Sequence, residues 1–179
     1  MKKLSGFLIV VLFAMLTVAA WGYANRPTSE PALPRVIHGF AFQPYQKDQD
    51  AIAGEDPTSA QIDADLKLLA GTTRAVRTYS SIGTLGEIPA LARKHGLKVM
   101  LGSWIDSDRD RNDREVEAAI RLANTNRNVT RILIGNEVVL RGDLPVEDLI
   151  AHLDRVRAAT KQPVSTAEPW HVWIKHPEL

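Results

Sequence analysis

Residues 36–179 predict an α/β fold, a parallel sheet with helices packed outside it. Three observations carry this. Five short apolar segments rich in β-branched residues alternate with four stretches of helical periodicity. Each strand-plus-helix unit takes roughly 25–35 residues, as in a (β/α)8 TIM barrel or a doubly wound sheet. Every apolar segment also ends in polar or aromatic residues, which in a barrel share one rim. No Gly-x-Gly-x-x-Gly follows a strand and no Gly-Lys-Ser/Thr loop occurs, so a dinucleotide or nucleotide fold loses support.

The elements follow in order. Lys2 and Lys3 precede an apolar stretch over 4–23, broken only by Ser5, Gly6, Thr17 and Gly22. A basic end followed by such a run is a targeting segment. Its length sits at the border of the ~20 residues a spanning helix needs. Residues 1–24 are therefore either a signal peptide, with Gly22-Tyr23-Ala24 as a small-x-small cleavage site, or a membrane anchor with Trp21 and Tyr23 at the interface. Both readings export the remainder and leave Lys2 and Lys3 on the cytoplasmic side. The mature protein is then secreted, or anchored facing the periplasm or cell exterior. Residues 25–35 carry Pro27, Pro31 and Pro34 and form an extended spacer.

The domain at 36–179 opens with a strand over 36–42, broken by His38 and Gly39. A helix runs over 57–71. Thr58 and Gln61 have capping-box spacing, Ile62, Leu66 and Leu69 form its apolar stripe, and Gly71 ends it. The second strand spans 73–80. A second helix over 84–95 stops at Gly96, with Pro89 its weak point. Strand three spans 97–105, and Asp106-Ser107-Asp108-Arg109-Asp110 reads as a capped helix start. Helix three covers 112–123, strand four 129–137, helix four 145–160 and strand five 164–168. Five strands make about five-eighths of a barrel. An open edge after the fifth would expose backbone groups and interior. The expectation is an incomplete chain, with a half-barrel completed by assembly as the alternative.

Composition excludes some functions. The chain has 22 Lys and Arg against 21 Asp and Glu, a net charge of +1, and shows no basic face for nucleic acid. It has no cysteine, which rules out disulfides and thiolate metal sites. No histidine falls among suitable strand-end partners for a metal, and no cofactor is expected. His38 reads as a core residue or one that supports a site residue, and His152 as solvated.

The strand ends carry the chemistry. Tyr79 closes the second, Trp104 and Asp106 the third, Asn136 and Glu137 the fourth, and Glu168 and Trp170 the fifth. Sugar sites combine these types: aromatic rings stack on C–H faces, while carboxylates and amides bind hydroxyls. Glu137 is the candidate acid/base, against the bland reading of a solvated strand end. The bland readings are a turn cap for Asn136, a structural ion pair for Glu168, and rim packing for Tyr79 and Trp104. Arg77 is placed to pair with Glu137 or Asp106.

On Arg77-Thr78-Tyr79-Ser80, Leu101-Gly102-Ser103-Trp104, Ile134-Gly135-Asn136-Glu137-Val138 and Ser165-Thr166-Ala167-Glu168-Pro169-Trp170, the sequence resembles glycoside hydrolase family 17 from about Val36 onward. The likeness is to its bacterial branch, related to β-1,3-glucanases and glucan-remodelling enzymes. The resemblance implies a (β/α)8 hydrolase acting on β-glucan by a retaining mechanism with two glutamates. It implies Glu137 as acid/base, Asn136 on the sugar 2-hydroxyl, and a nucleophile on a later strand, about the seventh, absent from these 179 residues. These residues alone are then expected to be inactive. The alternatives are a β-glucan transglycosylase or glucan-synthesis-associated membrane enzyme, and a non-catalytic carbohydrate-binding protein.

Overall fold

A computed structural model describes residues 2–32, 35–51 and 53–179. The expected spacer's Leu33 and Pro34 lie outside the described residues. The chain divides into two units, broken after Pro34. The first unit contains helix α1 (Lys2–Ala24), of which Gly6–Ala24 is long and apolar enough to cross a membrane by length and composition. That stretch is apolar on all sides, the pattern of a helix that needs a core or a membrane around it.

In the second unit the strands are β1 (Phe40–Ala41), β2 (Ala75–Arg77), β3 (Lys98–Ser103), β4 (Val129–Asn136) and β5 (Val164–Ala167). All pair in parallel, in the sequential order β1-β2-β3-β4-β5. A doubly wound sheet reverses its strand order at a switch point. The unbroken order instead has the topology of a barrel wall, so the sheet is part of a (β/α) barrel.

The helices are α2 (Ser59–Leu69), α3 (Ile88–Lys94), α4 (Arg109–Thr125), α5 (Val138–Arg141), α6 (Val146–Ala159) and α7 (Trp170–Lys175). The predicted capping box forms: Gln61 N donates to Thr58 Oγ1 while Thr58 N donates to Gln61 Oε1. Asp108 caps α4 by accepting from Arg111 N at 3.0 Å. In-register residues on neighbouring strands share a face, which separates two sides of the sheet. Val76, Val99 and Val129 lie in one row, Leu101 and Ile132 in the next. These are buried with Ile62 and Leu66 of α2 and Leu149 and Leu153 of α6 in one continuous core. The other face carries Arg77, Met100 and Leu133, each partly buried. The two faces differ because the helices cover only the first.

Several expectations need correction. The helix expected over 84–95 begins as a 3-10 turn, Gly83–Glu87, and becomes α-helical at Ile88. Pro89 therefore sits in the first helical turn, where a missing N–H costs nothing. The first strand is only two residues long, because Ile37 forms an isolated bridge to Thr73 and His38 and Gly39 break the ladder. His38 is exposed, so it is not a core histidine. His152 is not fully solvated. It is half-buried on α6, and loss of solvent lowers its pKa. The short helices α5 and α7 are additions to the expected elements.

Candidate active site

The site is built where the five strands end. At the end of β4, Gly135 has φ +82° and Glu137 has φ +57°, the one left-handed residue other than glycine among those described. A Cβ on Gly135 would fall 2.4 Å from Val138 Cγ2, so only glycine fits there. Glu137 pays a backbone penalty that a residue keeps only when its surroundings over-determine it. Two hydrogen bonds do so: Glu137 N donates to Ala167 O of β5 at 2.7 Å, and Arg141 N donates to Glu137 O at 2.8 Å. The result is a sharp elbow between β4 and α5 that lifts the Glu137 side chain into solvent. Among the described residues the carboxylate has no hydrogen bond or ion pair.

Asn136 is held from both sides. Arg77 Nη2 of β2 donates to its Oδ1 at 2.7 Å, and Arg141 Nη1 donates to its backbone carbonyl. Arg77 thus reaches an amide, not Glu137 or Asp106 as expected from sequence. Its Nε is buried and unpartnered among the described residues. The Arg77 guanidinium also lies 4.8 Å from the Tyr79 ring centroid. Arg141, which the sequence did not single out, pins the rim together. Its guanidinium stacks 4.6 Å from the centre of Trp104, donates to Ile105 O at 2.8 Å and pairs with Asp143. One cation therefore fixes the aromatic at the end of β3 against the elbow at the end of β4.

Next to the elbow, over the ends of β1 to β3, lies a cleft of about 710 Å³. Tyr79 and Trp104 line it together with Phe42, Tyr45 and Asp56 from the β1–α2 loop, and with Ser80, Asp106 and Arg111. The volume and mixed walls suit a small polar ligand with apolar faces. Much of its polar wall is already paired. Tyr45 Oη donates to Asp56 at 3.0 Å, and Trp104 Nε1 donates to Asp106 at 3.0 Å. Asp106 also accepts from Asp108 N and faces Arg111 at 3.5 Å. Burial, then the bond to Asp56, pushes the Tyr45 phenol up to about 12. Glycine at 102 lets β2 and β3 converge beneath the cleft, where a Cβ would fall 2.0 Å from Thr78 O.

Behind the cleft wall is a residue that sequence reasoning missed. Glu115 of α4 is fully buried. Ser80 Oγ donates to its Oε1, and Ser81 N donates to its Oε2 at 2.7 Å. Burial raises its pKa to about 7 against those two hydrogen bonds. The available signal was position: Glu115 is four residues before Ala119 and beside Val116, on the buried stripe of α4.

The predicted site residues thus fall into three groups. Asn136 and Glu137 form the elbow, and Tyr79 and Trp104 line the adjacent cleft. At the end of β5, Glu168 accepts from Val139 N at 2.9 Å and Leu140 N at 3.3 Å. Its carboxylate caps α5, holding the elbow from below. Trp170 is 74% exposed and packs edge-on against His171 at 5.9 Å. Among the described residues, no group of three or more His, Asp and Glu is placed to hold a metal ion.

Comparison with known proteins finds the same architecture. Residues 39–179 match the BtgE/BtgC glycoside hydrolase domain. The chain is 34% identical over 122 residues to a glucan 1,3-beta-glucosidase of Schizosaccharomyces pombe, across 62% of this chain and 38% of that protein. It is 25% identical over 175 residues to a probable glucan endo-1,3-beta-glucosidase, btgC, of Aspergillus flavus, across 85% of this chain and 26% of that protein. Among solved structures it resembles a glycoside hydrolase family 17 beta-1,3-glucanosyltransferase from Rhizomucor miehei, with a TM-score of 0.58 and 25% identity. An active-site mutant of the R. miehei beta-1,3-glucanosyltransferase in complex with laminaritriose gives 0.59 at 25% identity. Each superposition covers 74% of this chain and 49% of the other. The chain spans between about a quarter and a half of the length of these relatives.

Proposed function

The chain belongs to the BtgE/BtgC glycoside hydrolase domain family, and from that premise we propose that it forms the acid/base half of a retaining enzyme acting on β-1,3-glucan. The elbow carries this reading. A glutamate held left-handed, with its carboxylate unpaired among the described residues, stands beside an amide fixed by Arg77. Glu137 donates a proton to the glycosidic oxygen as it leaves, then removes one from the incoming hydroxyl. Asn136 offers its amide N–H to a sugar hydroxyl, since its Oδ1 is taken by Arg77. Tyr79 and Trp104 stack on the C–H faces of glucose rings in the cleft.

Retention needs a second carboxylate roughly 5–5.5 Å from the first, to attack the sugar carbon. The other carboxylates at these strand ends have other work: Asp106 holds Trp104 and the start of α4, and Glu168 caps α5. We therefore place the nucleophile outside these 179 residues, on a further barrel strand. Laminarin turnover by residues 1–179 alone, abolished in Glu137→Gln, would overturn that placement. Equal laminarin binding by wild type and by Tyr79→Ala/Trp104→Ala would overturn the role of the cleft.

Transfer to a sugar hydroxyl instead of water is the second reading, favoured by the two glucanosyltransferase structures. Both share the glycosyl-enzyme and differ in the acceptor. Product analysis with an added laminari-oligosaccharide separates them, since elongated products appear only in transfer. In the same reading residues 1–24 export the protein, as a signal peptide or as an anchor through α1. Residues 25–35 are the spacer, and the barrel domain starts at 36.

A further inference from the structure

Glu115 is the one fully buried carboxylate among the described residues, and the mechanism above does not use it. Its hydrogen bonds lead to the cleft wall. Ser80, which donates to Oε1, lines the cleft directly after Tyr79. Ser81, whose N–H donates to Oε2, also joins β3 through Gly102 O at 3.0 Å and Ser103 Oγ at 2.9 Å, directly before Trp104. We propose that Glu115 sets the hydrogen-bonding polarity that Ser80 presents to a sugar hydroxyl in the cleft, so that glucan affinity is proton-linked. The inference rests on the cleft being the glucan site.

The argument is one of donors and acceptors. Ser81 N–H always needs Oε2 as an acceptor. When Glu115 is ionised, Oε1 is an acceptor too, and the one Ser80 hydrogen is committed to it. Ser80 then faces the cleft with a lone pair alone. When Glu115 is protonated, a proton on Oε1 leaves Oε2 as the carbonyl oxygen, the better acceptor for Ser81 N–H. Oε1–H then donates to Ser80 Oγ, and the Ser80 hydrogen is released toward the cleft. Two donors of the cleft wall, the Tyr45 hydroxyl and the Trp104 indole N–H, already serve Asp56 and Asp106, and Ser80 follows Tyr79 directly along the same wall. A freed hydroxyl hydrogen supplies what a sugar oxygen lacks.

The surroundings allow this titration to occur. Arg111, one turn earlier on α4, favours the ionised form, but it also faces Asp106 of the β3–α4 loop. Glu87 of the 3-10 turn and Arg114 and Glu117 of α4 line a solvent-open recess on the far side of Ser81. Desolvation outweighs these influences and holds the carboxyl near neutrality, at about 7.

The test is the affinity of the protein for laminaritriose, measured by calorimetry across roughly pH 5 to 9. Wild type is expected to bind about three- to tenfold tighter on the acid side, the range for one hydrogen bond. In Glu115→Gln the amide oxygen faces Ser81 N–H and the amide hydrogens face Ser80. That variant mimics the protonated state and should bind at the acid-side level at every pH. Ser80→Ala, which leaves Glu115 in place, should also lose the pH dependence and bind at the weaker level. Wild-type pH dependence surviving in either variant overturns the proposal, as does flat binding in wild type. Absence of binding at every pH overturns the glucan reading of the cleft, and this inference with it.

Discussion

Glu115→Gln should stabilise the protein above neutral pH. A carboxyl whose pKa rises from 4.5 in the unfolded chain to about 7 in the fold binds a proton more tightly when folded. Its contribution to stability is fully present below pH 4.5 and is lost as pH rises through about 7. At ~1.4 kcal/mol per pH unit, the loss across that window is about 3 kcal/mol. Glutamine fits the same pocket, keeps an acceptor for Ser81 N–H, and has no proton to lose. Urea denaturation at about pH 5 and pH 8, followed by tryptophan fluorescence, isolates the effect as the difference between wild type and variant. Wild type should lose about 3 kcal/mol more than Glu115→Gln between those conditions. In a domain of this size that is a relative shift in Tm of roughly 6–12 °C. His152 and Asp63 also titrate away from their ordinary values, but they are common to both proteins and cancel. Parallel pH profiles in the two proteins would refute the reasoning.

Other outcomes follow from the same geometry. Gly135→Ala places a methyl against Val138 in a left-handed backbone, and should cost at least about 1–3 kcal/mol in denaturation while weakening laminarin binding through a displaced elbow. Arg141→Met removes the cation from Trp104 and two donors from the rim; near-ultraviolet circular dichroism should show a loosened tryptophan, with stability down by about 1–2 kcal/mol. Thr58→Ala removes one arm of the capping box and should cost about 1 kcal/mol with glucan binding unchanged.

The order of elements was legible because it rests on short-range period. Ile62 and Leu66 repeat at helical spacing, while Val99 and Leu101, or Ile132 and Ile134, repeat at strand spacing. The capping box at Thr58 and Gln61 is likewise a local code. What was not legible depends on contacts distant in sequence. Gly135-Asn136-Glu137 reads as the end of a strand, but the left-handed turn at Glu137 is imposed by Ala167 of the next strand and Arg141 of the next helix. Asn136 stands out in the sequence by residue type, yet its orientation comes from Arg77, 59 residues earlier. Glu168 follows β5, but its capping of α5 could not be read without knowing that α5 exists. Glu115 looks like any charged residue on a polar helix until the serines of the β2 and β3 ends are brought to it. Arg77 illustrates the same limit from the other side. Charge alone suggested a carboxylate partner, whereas the register of β2 to β4 delivers an amide.

The central claim is that Glu137 is the acid/base of a retaining β-1,3-glucan enzyme. It is tested most directly in a chain that carries these residues and turns over laminarin, by comparing Glu137→Ala with wild type on laminarin and on an aryl β-glucoside with a good leaving group, with and without azide. The account predicts a loss of about 10²–10⁴-fold on laminarin, where leaving-group protonation is needed. It predicts partial recovery on the aryl substrate when azide is added, with a β-glucosyl azide as product, because azide attacks the glycosyl-enzyme without needing a base. Wild-type laminarin turnover in Glu137→Ala, or an α-glucosyl azide, would contradict it.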